Sequence, residues 1–524
     1  MSDAAFTVAV SLDITGRHVG YVYSGKDLVL TTDDGHDRYF GYGLVSLDLP
    51  ELVIGSATGS GVSLQVADGA VWEAAMAGRP VHDAVCRVYA VPPGVSALRS
   101  CVLFFEGIVN GVSFDADSGV CSLEVGPLEL REEMPFPPGS IGDYLRFPNS
   151  AFTTTTSRDA AVPVIYGTCW DVPLSPLDAL DTAAPGTATP NREWRYLIAG
   201  HSIAEETLAA GYVVDDAGAA VGGPYTVETA IDGLGGVFSY ITVVESVDIP
   251  GGTEPPEQLY VVQMRGKHKG GKVIVGLGDI LEDIWLNYGP NKTPLDYGRT
   301  TRAKNYLNAF AISARFDQVE RNSTLATTLE ARFAAQFPVS FGLWAGRFGW
   351  DYIGKRQDRS PVGRLVYGQN SFARGSLDTT ARSDIVNAVE VDYQRSGRAA
   401  GTQHSYRLDA SNSELCAASQ SRWGVSKVVR LSVPDASQIF SEDSNAAYLA
   451  ASELVLRHYD VFSATSYMTH DPRALRWSLG DPILVTDAQW GWTDKRFYLR
   501  GKRPSVDGYV TLDLESAEPF YSRE

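Results

Sequence analysis

The sequence is poor in cysteine, with five residues among 524, an odd number that forms no C-x-x-C pair. The five are Cys86, Cys101, Cys121, Cys169 and Cys416. This count and spacing argue against a disulfide framework and match no zinc or iron–sulfur pattern. We therefore expect buried free thiols in a protein that folds in a reducing compartment.

Long apolar runs and positive charge are also scarce. No segment approaches the roughly 20 apolar residues that span a bilayer, so we expect no membrane span. The opening residues, MSDAAFTVAVSLD, lack a positively charged start, so we expect no secretory signal. Lys and Arg number 44 against 63 Asp and Glu, a net charge of -19. Such a chain repels phosphate backbones, and we expect no specific nucleic-acid binding.

The remaining composition is that of a folded protein rich in strands. Hydrophobic residues make up 44% of the chain and charged residues 20%. Fifty-one glycines and 25 tyrosines favour strands joined by tight turns. A chain of 524 residues is too long for one core, and about three to five domains are expected.

Alternating apolar residues predict the strands. In the first segment Phe6, Val8, Val10, Leu12 and Ile14 share one face. Hairpins are predicted around residues 33–35, 115–119, 213–218 and 341–353, and later strands at 384–393, 482–486, 497–502 and 509–514. Residues 178–192, rich in Ala, Thr, Pro and Asp, predict a surface loop.

Helical spacing occurs in three places only. The first is residues 279–288, and the third is residues 441–459. The second runs from Asn322 or Ser323 to Phe337, and its apolar stripe is Ala326, Leu329, Phe333 and Phe337. We predict a mainly β fold with α+β domains, in which tube-like β-sandwich or barrel modules accompany a few short helices.

No catalytic motif emerges from the sequence. Residues 266–272, GKHKGGK, match the first part of a phosphate loop, but Val273 replaces the Ser/Thr that holds magnesium, and a strand follows instead of a helix. We interpret this segment as a basic surface turn that could meet an acidic partner. The pair Asp115 and Asp117 suggests a calcium loop, yet no glutamate completes the pattern, and a hairpin turn is favoured.

The histidines are scattered without metal-ligand spacing, and no G-x-S-x-G elbow occurs. We therefore assign no catalytic residue, no cofactor-binding residue, no metal ligand and no cofactor. Trp344, Trp350, Trp490 and Trp492 lie in hairpin-like segments, where they could form a sugar platform or a subunit anchor. Core packing is the favoured interpretation.

Four stretches resemble one family in their order along the chain. The first two are LFFEGIVNGVSF at 103–114 with the hairpin to Glu124, and VPVIYG at 162–167 with Val172-Pro173. The third is the helix from Ser323 with the hairpin GRFGW at 346–350 and the strand NAVEVDY at 387–393, and the fourth is LGDPILV at 479–485 with the strands after it. Together they are similar to the baseplate hub, or tail-tip, proteins of tailed bacteriophages and related gene transfer agents. Residues 178–260 match nothing in that pattern.

The resemblance implies a homotrimer with no enzymatic activity. Each subunit of such a hub supplies two tube-like β domains, so three subunits form a pseudo-sixfold ring. The implied partners are a distal tail protein, a tape-measure protein and tip or tail-fibre proteins, while DNA passes through the lumen. The implied location is the virion, at the tail tip or baseplate, after assembly in the host cytoplasm.

Combined with the predicted elements, the resemblance gives four domains. Residues 1–135 are an N-terminal β hub module, and 136–265 are a connector with a second β domain and a possible insertion at 178–260. Residues 266–380 form an α+β domain with two helices and a hairpin. Residues 381–524 form a C-terminal β domain with one helix.

Two alternatives stay open from the sequence. A receptor- or carbohydrate-binding tail-tip protein predicts an exposed aromatic platform and glycan affinity of the isolated chain. A cell-wall glycoside hydrolase predicts two acidic residues facing one cleft.

Overall fold

A computed structural model of the chain provides the architecture. It describes residues 6–14, 17–23, 27–54, 61–67, 69–127, 136–137, 140–144, 161–182, 191–204, 206–231, 237–244, 258–290, 294–317, 325–398, 402–425, 427–437 and 446–520. Strands dominate these residues and form several sheets, so the predicted mainly β, multidomain fold class is confirmed. None of the described helices is both long and apolar enough to cross a membrane.

The first part of the chain forms a nine-stranded sheet. Its elements are β1 (Thr7–Ile14), β2 (Arg17–Tyr23), β3 (Leu28–Thr31), β4 (Asp37–Tyr42), β5 (Leu44–Asp48), β7 (Val62–Val66), β8 (Val85–Val91), β9 (Val102–Asp115) and β10 (Val120–Pro127), with helix α1 (Gly69–Met76) after β7. The strand order is β3-β4-β2-β1-β8-β9-β10-β7-β5. The short strand β6 (Leu52–Val53) leaves this sheet and pairs elsewhere.

The predicted apolar face of β1 is buried, as the alternation indicates: Phe6, Val8, Val10, Leu12 and Ile14 are all at most 1% exposed. The opposite face is partly buried as well, since Ala9 and Ser11 are at most 1% exposed. Ala9 belongs to a second apolar cluster that includes Leu30 of β3 and Phe40 of β4. The β3–β4 hairpin therefore covers Ala9 on the face of β1 opposite the predicted apolar face.

Small sheets fill the middle of the chain. Their strands are β11 (Val164–Tyr166), β12 (Thr168–Pro173), β13 (Ser175–Thr182), β14 (Asn191–Ala199), β15 (Thr207–Leu208), β16 (Val213–Val214), β17 (Tyr225–Thr226), β18 (Glu228–Ile231), β19 (Val237–Val244), β20 (Tyr260–Arg265), β21 (His268–Lys269), β22 (Lys272–Val273) and β23 (Ala314–Phe316). The prediction of a surface loop at 178–192 is wrong for residues 178–182 and 191–192. These residues belong to β13 and β14, which pair as a hairpin. Residues 183–190 lie outside the described part.

A helical layer follows. It contains α2 (Leu277–Tyr288), α3 (Tyr297–Leu307), α4 (Leu325–Leu329) with a π-helical turn at Glu330–Ala334, and the hairpin β24 (Val339–Trp344) with β25 (Arg347–Tyr352). The sheet β30-β29-β31 packs beside it, built from β29 (Val389–Arg395), β30 (Thr402–Leu408) and β31 (Val429–Val433), with α5 (Glu414–Trp423) and α6 (Ala446–His458). One apolar core joins these elements.

The last part forms an eight-stranded sheet that ends the chain. Its path is β26-β33-β34-β35-β32-β27, and β28 and β6 pair with strands on that path. The strands are β26 (Gly363–Val366), β27 (Ser371–Arg374), β28 (Asp378–Thr379), β32 (Phe462–Thr469), β33 (Pro482–Asp487), β34 (Trp492–Pro504) and β35 (Val510–Pro519). The strand predicted to start at residue 384 begins later, at Val389, after a 3-10 turn at Arg382–Asp384.

The three predicted helices are present, and the second carries the predicted stripe: Ala326, Leu329, Phe333 and Phe337 are all buried. Residues 322–324 and 441–445, where two of these helices were predicted to start, lie outside the described part. The restriction of helices to three places is wrong, because α1, α3 and α5 are also helical. Helix α3 buries Arg299 and Thr300 where an apolar stripe would normally be, so its sequence lacks the usual signal.

Candidate functional site

The two large sheets contain the same six-strand arrangement. In the first sheet the order β1-β8-β9-β10-β7-β5 occurs, and in the second the path is β26-β33-β34-β35-β32-β27. Numbering each set by its order along the chain gives one pattern for both: first, fourth, fifth, sixth, third, second. We call the two sets the first unit and the second unit.

The pairings within the two units match in detail. Four of the five neighbouring pairs are antiparallel in both units. The pair at one end differs, because β1 and β8 are antiparallel whereas β26 and β33 are parallel. The fifth strand of each unit is the longest, with 14 residues in β9 and 13 in β34. A short helical segment precedes the fourth strand in both, α1 and the 3-10 turn Pro472–Arg476.

Register shifts recur at equivalent places. The pairs β5–β7 and β27–β32 each contain one, as do β8–β9 and β33–β34, and β9–β10 and β34–β35. The pair β32–β35 contains a further shift that the equivalent pair β7–β10 lacks. Bulges bend strands and increase twist, so shared bulges give the two sheets similar curvature. The chain therefore carries two copies of one curved β unit. The first spans residues 7–127, and the second spans residues 363–519 with the sheet β30-β29-β31, α5 and α6 inserted between its second and third strands.

The two units share one apolar core. Val88 and Phe104 of the first unit and Leu499 and Leu512 of the second belong to the same buried cluster, and each is fully buried. Strand β6 also crosses over, pairing Val53 with Gly501 of β34. Burial of apolar area and backbone pairing together fix the relative position of the two units.

The tip of the β24–β25 hairpin lies in this joint. The Trp344 ring is 6.4 Å from the Phe104 ring of β9, and the Nζ of Lys502, on β34, is 4.1 Å from the Trp344 ring centre. The turn residue Gly346 has φ +70, and a Cβ there would lie 2.6 Å from the Cβ of Glu106 on β9. Only glycine fits this close approach of the hairpin to the first unit.

Lys502 is a buried amine within the joint and is 2% exposed. Its Nζ donates to the carbonyl oxygens of Leu475 and Trp477, each at 2.7 Å. Burial lowers the pKa of Lys502 to about 7, and the positive charge of Arg299 acts in the same direction.

Stability should therefore depend on pH through Lys502. Its pKa is lower in the folded than in the unfolded protein, so between about pH 7 and 10 the unfolded chain binds more protons and stability rises with pH. From pH 7 to 9 we expect the wild type to gain about 2 kcal/mol relative to Lys502→Met, a variant that lacks the titrating group. Denaturant unfolding of both proteins at the two pH values measures this difference. Parallel pH profiles of the two proteins would show that Lys502 is charged and solvated.

The residues that the sequence analysis considered as metal ligands or catalytic groups do not form a site among the described residues. Among the described residues no group of three or more His, Cys, Asp or Glu could hold a metal ion. Burial lowers the pKa of His201 and of His458 to about 4, so both are neutral at pH 7. The five cysteines are free and buried, as predicted, and burial raises the pKa of Cys86 and Cys169 to about 12.

The favoured interpretation of the tryptophans is confirmed. Trp344 and Trp350 are buried, and the rings of Trp490 and Trp492 lie 4.7 Å apart against the shared core. The two predicted turns are confirmed as well. Residues 268–273 form a hairpin whose turn is Gly270-Gly271, and Asp115 closes the β9–β10 turn by accepting the backbone N–H of Asp117 and the hydroxyl of Ser118.

The repeated unit itself was missed from the sequence. The sequence shows no short-period repeat. The two units are alike in the order in which their strands pair, and this order cannot be read from residue types. One local signal exists, since the hairpin between the fifth and sixth strands has an Asp- and Gly-containing turn in both units, at residues 115–119 and 505–508.

Comparison with known proteins gives structural likeness only. No protein-family model matches the chain, and no curated protein matches it. The chain is similar to the solved tail protein from Neisseria meningitidis at 10% identity, over 98% of this chain and 97% of that one, with a TM-score of 0.38. It is similar to the 43 kDa tail protein of prophage MuSo2 from Shewanella oneidensis at 9% identity, over 97% and 98%, with a TM-score of 0.38.

A third similar structure is a chain of the virion of a native gene transfer agent particle. The identity is 11%, the coverage is 71% of this chain and 86% of that one, and the TM-score is 0.40. These three structures are two tail proteins and one chain of a gene transfer agent particle, the class of protein that the sequence resembles. With TM-scores of 0.40 or less, the likeness assigns no role to any residue of this chain.

Proposed function

We propose that the chain is a structural component of a phage-type tail tip, a baseplate hub in which three copies form a ring. The ring joins the tail tube and a distal tail protein to the tip or fibre proteins, contacts the tape-measure protein, and lets DNA pass through its lumen. The role is architectural and uses no catalytic residue.

The observation that supports this proposal most is the repeated six-strand unit. Two equivalent units in each copy place six similar units around a threefold axis. A ring of that kind can face a sixfold tube on one side and a threefold tip on the other. A protein with one sheet, or with two unlike sheets, would not provide this match of symmetries.

The joint between the units supports the same role. In a ring, the angle between neighbouring units has to be constant, because an error in that angle would prevent closure. Here the angle is set by the shared core, by the β6–β34 pairing and by Trp344 at the hairpin tip. The net charge of -19 also suits a channel that DNA passes without adhering.

Native mass measurement of the purified full chain tests the proposal. We expect a species of three times the 56.7 kDa chain mass at micromolar concentration, since obligate interfaces of about 2,000 Å² or more hold such assemblies together. A stable monomer would contradict the hub. A monomer that hydrolyses peptidoglycan or binds a glycan would favour one of the two alternatives given by the sequence.

A further inference from the structure

A cavity of about 680 Å³ lies away from the joint, between β12, the helix α4 with its π-helical turn, β23 and the end of β29. Its size is within the range of pockets that hold small ligands or peptide side chains. Three arginines line it, Arg315, Arg332 and Arg395, together with Asp317 and Asp435. The local excess of positive charge stands out in a chain of net charge -19.

Arg332 and Asp435 neutralise each other. The Nε and Nη2 of Arg332 donate to the two carboxylate oxygens of Asp435 at 2.8 and 2.7 Å, and its Nη1 donates to the Arg315 carbonyl. Gln336 also donates to Asp435. This closed pair forms a wall of the cavity and leaves Asp435 with little capacity to repel an anion.

The other two arginines have N–H donors that make no hydrogen bond to the described residues. Arg315 pairs with Asp317 through Nη2 at 3.1 Å, but its Nε is buried with no hydrogen-bond partner. Arg395 is exposed at the cavity, and within the described residues its guanidinium makes no hydrogen bond or ion pair. Guanidinium groups with unused N–H donors are the preferred partners of carboxylates in proteins.

A buried hydroxyl adds a third donor. Ser313 is 8% exposed, lines the cavity and has an Oγ with no hydrogen-bond partner. A buried polar group without a partner costs about 1–3 kcal/mol, so its presence calls for an explanation. Ser313 and Arg315 are two residues apart beside and within strand β23, so both side chains leave the same face.

The backbone around the cavity is irregular in three places. Asp171 in β12 and Gln394 in β29 have φ values of 45 and 61, and both interrupt strand pairing next to residues that line the cavity. The third irregularity is the π-helical turn Glu330–Ala334. Residues held at positive φ and π turns are concentrated at binding sites, where they redirect side chains.

We propose that this cavity is a binding site for a carboxylate, held by Arg395, the Nε–H of Arg315 and the hydroxyl of Ser313. The carboxylate comes either from a small free polycarboxylate or from an acidic side chain of another polypeptide. The groups of this site all belong to one chain, so carboxylate binding does not require the proposed hub ring.

Calorimetric titration of the full-length protein tests the site with two probes, citrate and a tetraglutamate peptide capped at both ends. We expect at least one probe to bind below about 1 mM, and the matched tetraglutamine peptide not to bind. Binding of citrate alone identifies a small anion, and binding of the peptide identifies an acidic polypeptide segment.

Variants distinguish binding at this cavity from nonspecific attraction of the probe by positive charge. Arg395→Ala should lower the affinity for the probe that binds by about tenfold or more, because it removes charge-assisted hydrogen bonds. Arg430→Ala, an exposed arginine on the neighbouring strand β31, should leave affinity unchanged. Ser313→Ala should weaken binding about threefold without lowering the melting temperature, since it removes an unpaired hydroxyl.

Two results would overturn the proposal. One is the failure of both probes to bind the wild-type protein below about 1 mM. The other is equal affinity in the wild type and Arg395→Ala. Because Arg395 is exposed and unpaired among the described residues, its replacement leaves the fold intact, and loss of binding would not reflect unfolding.

Discussion

Replacing Trp344 by alanine is expected to destabilise the protein by about 3–5 kcal/mol, the usual effect of removing a large buried aromatic side chain. Trp344 is 8% exposed and fills the space between β9 of the first unit and β34 of the second. The cavity left behind would loosen the joint, so we also expect the proposed trimer to dissociate. Denaturant unfolding and native mass measurement check the two effects.

Trp72→Ala provides a matched control for this prediction. Trp72 is 37% exposed on α1, and its ring stacks on Phe114 at 4.3 Å within the first unit. The same number of atoms is removed, but the loss of stability should be about 1 kcal/mol, and the proposed trimer should stay intact. Equal destabilisation by the two variants would mean that Trp344 has no special place in the joint.

The second large effect concerns the buried ion pair of Arg299 and Asp351. The Nε and Nη2 of Arg299 donate to the two carboxylate oxygens at 3.2 and 2.7 Å, and the side chains are 5% and 1% exposed. Arg299→Met leaves the Asp351 charge buried without its partner, and we expect a loss of about 3–5 kcal/mol. The double variant Arg299→Met/Asp351→Leu should be less destabilised than Arg299→Met alone.

Arg364 and Asp494 form the control pair for this cycle. Their Nε–Oδ1 distance is 2.7 Å, similar to that of the buried pair, but the side chains are 54% and 42% exposed. Water screens this pair, so Arg364→Met should cost less than about 1 kcal/mol. A loss below that value for Arg299→Met as well would show that water reaches Asp351, contrary to its burial in the structure.

The sequence predicted the strands and hairpins that depend on local pattern. Alternation identified β1, and a glycine-containing turn identified the β24–β25 hairpin, because period-two burial and left-handed turn residues are local properties. The sequence could not show that Ala9 is also buried, since Leu30 and Phe40 reach it through a later hairpin. Helix α3 was missed because its buried face holds Arg299, whose partner Asp351 lies 52 positions further on.

The candidate sites depended still more on long-range contacts. Arg315 and Arg395 are far apart in the sequence, and no spacing rule brings them to one cavity. The repeated unit is defined by which strands pair, and pairing order leaves no direct trace in residue identity. The family resemblance supplied the expectation of two tube-like β domains, which stays a prediction. The structure shows two sheets that share one six-strand order.

A three-dimensional reconstruction of the purified assembly by electron cryomicroscopy tests the central claim most directly. We predict a threefold particle with an open axis, around which the first and second units of three copies alternate as six similar sheets. A single closed chain, or a ring whose axis is lined by only one unit of each copy, would contradict it.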